Sequence, residues 1–289
     1  MAGRAVLSTV LLTICTQSAA FVATKTFPHG LKPLHAIDNK KVLQMAVPEA
    51  ILFDCDGVLA DTERDGHRPA FNAVFEERRL DTDWTPELYG RLLEVGGGKE
   101  RMTAHWNEVG WPSSVSLHDD ESKATLVKEL HLAKTDEFNK MIKSGAIPLR
   151  EGVLRLVDEA ISNNVSLAVC STSNEKAVKN LVLTLMGEER YSKFQFFCGD
   201  MVKKKKPAPD VYLMAKDSMG LDASKTIIIE DSGIGLQAAK ASGMKCLVTK
   251  SSYTENEDFS KADCVVSSLD DGNVTLEKLG NILEAATVV

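Results

Sequence analysis

This 289-residue chain has no apolar run of the length that favours a membrane span. The nearest approach, Ala5–Ala20 (AVLSTVLLTICTQSAA), stands behind a single arginine and closes on small residues. Nor is there an excess of positive charge. The formal net charge is −7, which argues against non-specific binding to nucleic acid. A disulfide framework is also missing. Cys15 lies in the apolar leader, and the other five cysteines (55, 170, 198, 246 and 264) are odd in number, scattered and mostly set in apolar runs. They read as reduced core thiols. No internal repeat stands out, and nothing in the sequence points to an obligate protein partner.

The charge is unevenly spread. Residues 1–46 carry Arg4, Lys25, Lys32, Lys40 and Lys41 against Asp38 alone, so the rest of the chain is more acidic than the total suggests. A basic, acid-poor leader on an acidic body reads as a targeting segment followed by a soluble domain. Ala5–Ala20 has the layout of a signal peptide. Phe21 follows at once, and a Lys-, Thr- and His-containing stretch then runs to about Met45. This resembles the bipartite presequences of algae with secondary plastids. Ordinary secretion is the alternative, although a secreted protein more often carries disulfides. Residues 1–46 are therefore expected to be a presequence, and the mature protein to be free of the membrane.

Beyond the leader, strand-like and helix-like segments alternate. The strand candidates are Ile51–Asp54, Val165–Cys170, Phe194–Cys198, Thr226–Ile229, Lys245–Thr249 and Cys264–Ser267. Between them, helical spacing or cap residues mark helices, as at Leu154, Val157 and Ile161, after Ser173-Asn174-Glu175, at Asp210–Met219 before Gly220, and at Leu276–Ala286. Such alternation predicts an α/β fold with a doubly wound parallel sheet, which binds ligands at the carboxyl ends of its strands. One segment breaks the pattern. From Asp65 to Gly145 there is no convincing central strand, only helical patterns at Ala70–Arg79, Pro86–Val95, Glu100–Val109 and Glu121–Met141. Roughly eighty residues is far too long for a βα loop, so 65–145 is expected to be an inserted helical cap on a core of 47–64 and 146–289.

Four stations fall at strand ends. The first is Asp54 and Asp56, after the run Ala50–Phe53. Strand alternation aims these two carboxylates the same way and Cys55 the other. The second is Ser171, after VSLAVC. The third is Lys206, the last of four lysines, followed by Pro207. The fourth is Glu230-Asp231, after TIII. Each has a plainer reading. Asp54–Gly57 can be a strand followed by an Asp-Gly turn, Ser171 a turn residue, the lysines a solvated loop, and Glu230-Asp231 a helix cap. Yet buried acids are costly without a cation, and a helix N-terminus after Ser171 suits a phosphate. Together the stations suit Mg²⁺, with Asp54, Asp231, the backbone carbonyl of Asp56 and Glu230 as oxygen ligands. Asp54 is then placed to attack phosphorus and form an aspartyl-phosphate. Asp56 serves as acid and then base, while Lys206 and Ser171 hold the phosphoryl oxygens.

The motifs DCDGVLADT, STSNE, KKKKPAPD and IIIEDSGIGLQAAK, in this order, resemble those of the haloacid dehalogenase-type phosphatase superfamily, from about Ile51 onward. The inserted helices match the branch that also holds β-phosphoglucomutase and phosphoglycolate phosphatase. Glu63-Arg64-Asp65-Gly66-His67, Tyr89 and Gly96–Met102 (GGGKERM) further resemble the CbbY proteins, which look like xylulose-1,5-bisphosphate phosphatases. The resemblance implies a Mg²⁺-dependent phosphatase acting on a small phosphorylated sugar, in plastid repair of a compound that inhibits Rubisco. A doubly phosphorylated sugar needs cations for its distal phosphate, and Lys99 and Arg101 are candidates. Glu63, His67 and Tyr89 are candidates for sugar hydroxyls. GGGKER lacks the spacing of a P-loop.

One departure stands out. His67 lies thirteen residues after Asp54, where sugar-phosphate mutases and many relatives have a histidine at twelve; here Gly66 holds that place. Either an insertion has shifted the histidine, or His67 does not reach the substrate. The competing functions are a phosphoglucomutase-type phosphotransferase, another small-metabolite phosphatase, and a non-catalytic binding protein on the same fold. The intact set of Asp54, Asp56, Lys206 and Glu230-Asp231 argues against the last.

Overall fold

The computed structural model describes residues 47–95, 97–113 and 120–285. The expected presequence, 1–46, and Gly96 of the glycine run lie outside the described residues. Six strands form one sheet: β1 (Ala50–Phe53), β2 (Ser166–Cys170), β3 (Phe194–Phe197), β4 (Thr226–Glu230), β5 (Lys245–Thr249) and β6 (Cys264–Val266). Their order is β3-β2-β1-β4-β5-β6, and every pairing is parallel. The apolar runs of β1 and β4 are buried along their whole length, as central strands covered on both faces must be.

Alternation sorts the side chains onto two cores. Ile51, Phe53, Ile227 and Ile229 pack on one face under α5 (Val153–Ser162), α6 (Glu175–Tyr191) and α9 (Leu276–Glu284). Leu52 and Ile228 pack on the other under α7 (Asp210–Met219) and α8 (Gly233–Ala241). Cys55 continues the first set and is buried with it, which leaves Asp54 in the register of Leu52. The chain winds outward from β1 through β2 to β3, then returns to β4 on the other side of β1. A topological switch therefore falls between β1 and β4, where a crevice opens at the strands' carboxyl ends.

Between β1 and α5 the chain is helical. A π-helical turn, Glu63–His67, leads into α1 (Arg68–Glu77), α2 (Pro86–Leu92), α3 (Gly98–Val109) and α4 (Asp120–Lys143). These helices bury a cluster of their own, centred on Phe71, Phe75, Trp84, Tyr89, Met102 and Trp106. Phe71 and Phe75 lie 4.7 and 5.0 Å from Trp84, ring centre to ring centre. Large aromatic side chains give a short segment enough buried area to hold a shape. No described helix is long and apolar enough to cross a membrane.

The π turn accounts for the unusual histidine spacing. The Arg68 amide donates to the Glu63 carbonyl five residues back, so one extra residue is absorbed without shifting the next helix. The residue tucked inward is Gly66. A Cβ there would stand 2.5 Å from Phe138 and 2.7 Å from Ile147, so a larger residue would have to displace both side chains. His67, the last residue of the π turn, lines a cavity with Lys134 and Asp56.

Candidate active site

Asp54 leaves the end of β1, its amide donating to the Ile229 carbonyl of β4 at 2.9 Å. Glu230 is the last residue of β4, and Asp231 follows it. All three carboxylates are buried, and each offers an oxygen within 4.8 Å of the others. Their close approach depends on two glycines. Gly57 has φ +83°, and a Cβ on it would fall 2.0 Å from an Asp231 oxygen. Gly235 in α8 leaves no room for a Cβ beside Glu230, whose carboxylate would be 2.1 Å away.

Lys206 is the cation that joins this group. Its ammonium donates to Asp54 Oδ1, and to Glu230 Oε1 at 2.7 Å, with the side chain 4% exposed. The peptide bond to Pro207 is cis. The Tyr212 hydroxyl also donates to Glu230 Oε1, at 2.5 Å. Burial, with Glu230 and Asp56 nearby, pushes the Asp54 carboxyl up to about 7 against the pull of Lys206. Burial beside Asp54 and Glu230 pushes Asp231 well above the usual carboxylate range. Three buried carboxylates facing one ammonium leave uncompensated negative charge, and all the donors are hard oxygens. The set fits a divalent cation of the Mg²⁺ type.

Asp56 stands slightly apart, and its side chain is not in that cluster. Its Oδ1 accepts from the Thr62 hydroxyl at 2.7 Å, and its Oδ2 from the Ser173 hydroxyl at 3.0 Å. As a ligand, Asp56 is left with its backbone carbonyl. Ser171, buried at the end of β2, accepts from the Ser173 amide at 3.0 Å. Arg150 donates to the carbonyls of Gly57, Thr249, Lys250 and Ser267, so one guanidinium ties together the loops after β1, β5 and β6.

A cavity of about 220 Å³ opens above Asp56, lined on the helical side by His67, Lys134, Phe138 and Asn139 and on the sheet side by Ser173 and Asn174. His67 lies 4.0 Å from Phe138, ring to ring, and its Nδ1 is 2.9 Å from the Lys134 ammonium. Burial next to Lys134 and Arg101 lowers His67 well below the ordinary histidine range, so the neutral ring accepts from Lys134. Lys134 is itself 8% exposed, and burial pulls it down to about 8.

Glu63, Tyr89 and Arg101 form a chain next to this cavity. The Tyr89 hydroxyl donates to Glu63 at 2.6 Å and accepts from Arg101 at 2.9 Å, and Arg101 also donates to the Leu92 carbonyl at 3.0 Å. The two cations expected for the distal phosphate differ in burial: Lys99 is exposed on the first turn of α3, and Arg101 is buried. That helix buries Arg101, Met102 and His105, and a residue two before Arg101 points away from the same face. Lys134, Ser173, Thr62 and Arg150 were not among the expected site residues. A signal for Lys134 was present: it follows Val127 and Leu130 along the buried stripe of α4, a charge on an apolar face.

The chain is similar to known proteins over most of the described residues. The haloacid dehalogenase-like hydrolase family matches residues 51–249. A CBBY-like protein of Arabidopsis thaliana is 53% identical over 225 residues, covering 78% of this chain and 70% of that protein. Protein CbbY of Rhodobacter capsulatus is 39% identical over 223 residues, covering 76% and 93%. Among solved structures, a mutant of CbbY from Rhodobacter sphaeroides in complex with xylulose-(1,5)bisphosphate superposes with a TM-score of 0.61 at 36% identity, covering 76% of this chain and 94% of that one.

Proposed function

The chain belongs to the haloacid dehalogenase-like hydrolases and, within them, to the CbbY family, and from that premise we propose that this phosphatase is Mg²⁺-dependent and hydrolyses xylulose 1,5-bisphosphate to xylulose 5-phosphate and phosphate. The observation that carries the reading is the meeting of Asp54, Lys206 and Glu230 at the β1–β4 switch, beneath a cavity that holds a buried ammonium, Lys134. The complex of the Rhodobacter sphaeroides relative supports the choice of sugar.

Asp54, Glu230 and Asp231, with the carbonyl of Asp56, are the residues to hold Mg²⁺, which when bound supplies positive charge against the phosphoryl oxygens. An Asp54 carboxylate oxygen attacks phosphorus, and the bond from phosphorus to the sugar oxygen breaks as an aspartyl-phosphate forms. Asp56 gives its proton to the departing sugar oxygen. It then takes one from the water that attacks the aspartyl-phosphate, which releases phosphate and restores Asp54. Lys206 and Ser171 hold phosphoryl oxygens as charge spreads over them. Residues 65–145 act as a cap over a core of 47–64 and 146–289, closing the cavity against water. There Lys134 and Arg101 draw the distal phosphate, while Glu63, His67 and Tyr89 face the sugar hydroxyls.

Residues 1–46 are read as a plastid presequence on their composition, and the relationship to a protein of a plant supports that assignment. The test of the function is phosphate release with Mg²⁺ from xylulose 1,5-bisphosphate, ribulose 1,5-bisphosphate, phosphoglycolate and β-glucose 1-phosphate. A strong preference for the first is expected. Best turnover of β-glucose 1-phosphate without free phosphate would replace the reading with a mutase.

A further inference from the structure

The loop after β5 belongs to the sheet but reaches the inserted helices. Its tip is a built turn. Thr254 Oγ1 accepts from the Ser251 amide at 3.0 Å and lies 3.0 Å from its hydroxyl, and the Thr254 amide donates to the Ser251 carbonyl at 3.3 Å. Ser251 and Thr254 are buried, which presents Ser252 and Tyr253 at the apex.

Ser252 bonds the crossing that leads into the helical segment, and Tyr253 packs on the segment itself. Ser252 donates to Asp61 Oδ2 through its hydroxyl at 2.6 Å and its amide at 3.2 Å, while the same hydroxyl accepts from Arg64 at 3.1 Å. Tyr253 lays its ring edge-to-face on Tyr89, with centres 5.7 Å apart. The ring reaches there because α2 has glycine next to Tyr89. A Cβ at Gly90 would stand 3.3 Å from the Tyr253 ring. Tyr89 in turn is the middle of the Glu63–Tyr89–Arg101 chain. A contact path thus runs from the end of β5 to the groups proposed to read the sugar.

We infer that Tyr253 is a positioning residue for substrate selection: docked on Tyr89 and Gly90, with Ser252 pinned to Asp61 and Arg64, it sets the Glu63–Tyr89–Arg101 chain in register with the sheet. The inference rests on the reading that this chain contacts the sugar. The Tyr253 ring packs on Tyr89 and Gly90 and not on Asp54, Asp56 or Lys206, so removing it leaves the chemistry on a substrate too small to reach the helices in place.

The experiment compares full-length wild type, Tyr253→Ala and Tyr253→Phe on a sugar bisphosphate and on a simple aryl phosphate. For Tyr253→Ala, KM for the bisphosphate should rise roughly tenfold with kcat within about twofold, the mark of lost binding rather than lost chemistry. Aryl phosphate hydrolysis should be unchanged, and Tyr253→Phe, which keeps the ring, should restore the bisphosphate KM. Equal effects on both substrates, or none on either, would overturn the inference. If wild type cleaves the aryl phosphate but no sugar bisphosphate, it is the proposed function that fails. Amide exchange then decides the contact: α2 should exchange faster in Tyr253→Ala while α7 and α8 are unchanged, and identical exchange in α2 would refute it.

Discussion

The Thr62 hydroxyl donates to Asp56 at 2.7 Å, so a fully buried residue of the first crossing into the helical segment holds the carboxylate proposed as acid and base. The proton-transfer group is thereby aimed by the joint on which the cap would swing, with Ser173 fixing its other oxygen. Thr62→Val keeps the shape and removes the bond. We expect kcat to fall about tenfold, the worth of one such hydrogen bond, with KM little changed. Unaltered kcat in steady-state assays would remove Thr62 from the mechanism.

Asp54→Asn should abolish turnover and leave a folded protein, since the amide cannot form the phospho-enzyme. Asp56→Asn should slow turnover by roughly 10²–10⁴-fold. Rapid-quench detection of phosphorylated protein separates the two, because the second variant should still accept the phosphoryl group, though slowly.

Metal binding should be visible without turnover. Asp54, Glu230 and Asp231 face one ammonium, so Mg²⁺ should raise the melting temperature at neutral pH and a chelator should reverse the gain. Asp231→Asn should weaken that response severalfold or more in thermal-shift titration. An equal response in the variant would place the ion elsewhere.

Lys134 predicts a pH dependence. Burial pulls its ammonium down to about 8, so the charge is present at neutral pH and lost as pH rises through that value. If it draws the distal phosphate, kcat/KM for a bisphosphate should fall on the alkaline side near 8, while that for a monophosphate falls less. Lys134→Arg should move this limb upward, since a guanidinium keeps its charge. The linkage has the opposite sign for stability. With the folded state deprotonating before the unfolded state, this residue's contribution rises with pH from about 8 toward 10.5. Lys134→Met should therefore melt higher at neutral pH while binding the bisphosphate more weakly.

Gly66→Ala should destabilise the protein by about 1–3 kcal/mol, because the added methyl would stand 2.5 Å from Phe138 and 2.7 Å from Ile147 and must push both aside. It should also raise KM, since the turn that carries His67 is pushed away from the cavity. Denaturant unfolding and steady-state kinetics read the two effects separately.

Much of this architecture is legible in the chain. Continuous apolar runs end in Asp54, Ser171 and Glu230, and a parallel sheet brings such ends together, so the core stations follow from order alone. The helical segment is less readable. Arg101 and Lys99 stand two apart in one motif, yet helix α3 turns the first inward and leaves the second toward water. The place of His67 depends on a π turn, which spacing alone leaves open between two outcomes. Lys134 is remote from every motif and joins the cavity through the packing of α4 on the π turn and α1. Local pattern decides strands and strand ends; the partners of charged helix residues are decided by tertiary packing.

The aromatic core of the insertion has a practical side. All three tryptophans of the chain, Trp84, Trp106 and Trp111, stand in that segment, and the sheet and its flanking helices have none. Indole emission from the native protein therefore comes from the inserted segment alone, from α3 and from the connections beside α2 and α3. The molecule carries its own optical label on the part proposed to move, so ligand-induced closure, Tyr253 variants and the melting of the insertion can be followed in unmodified protein.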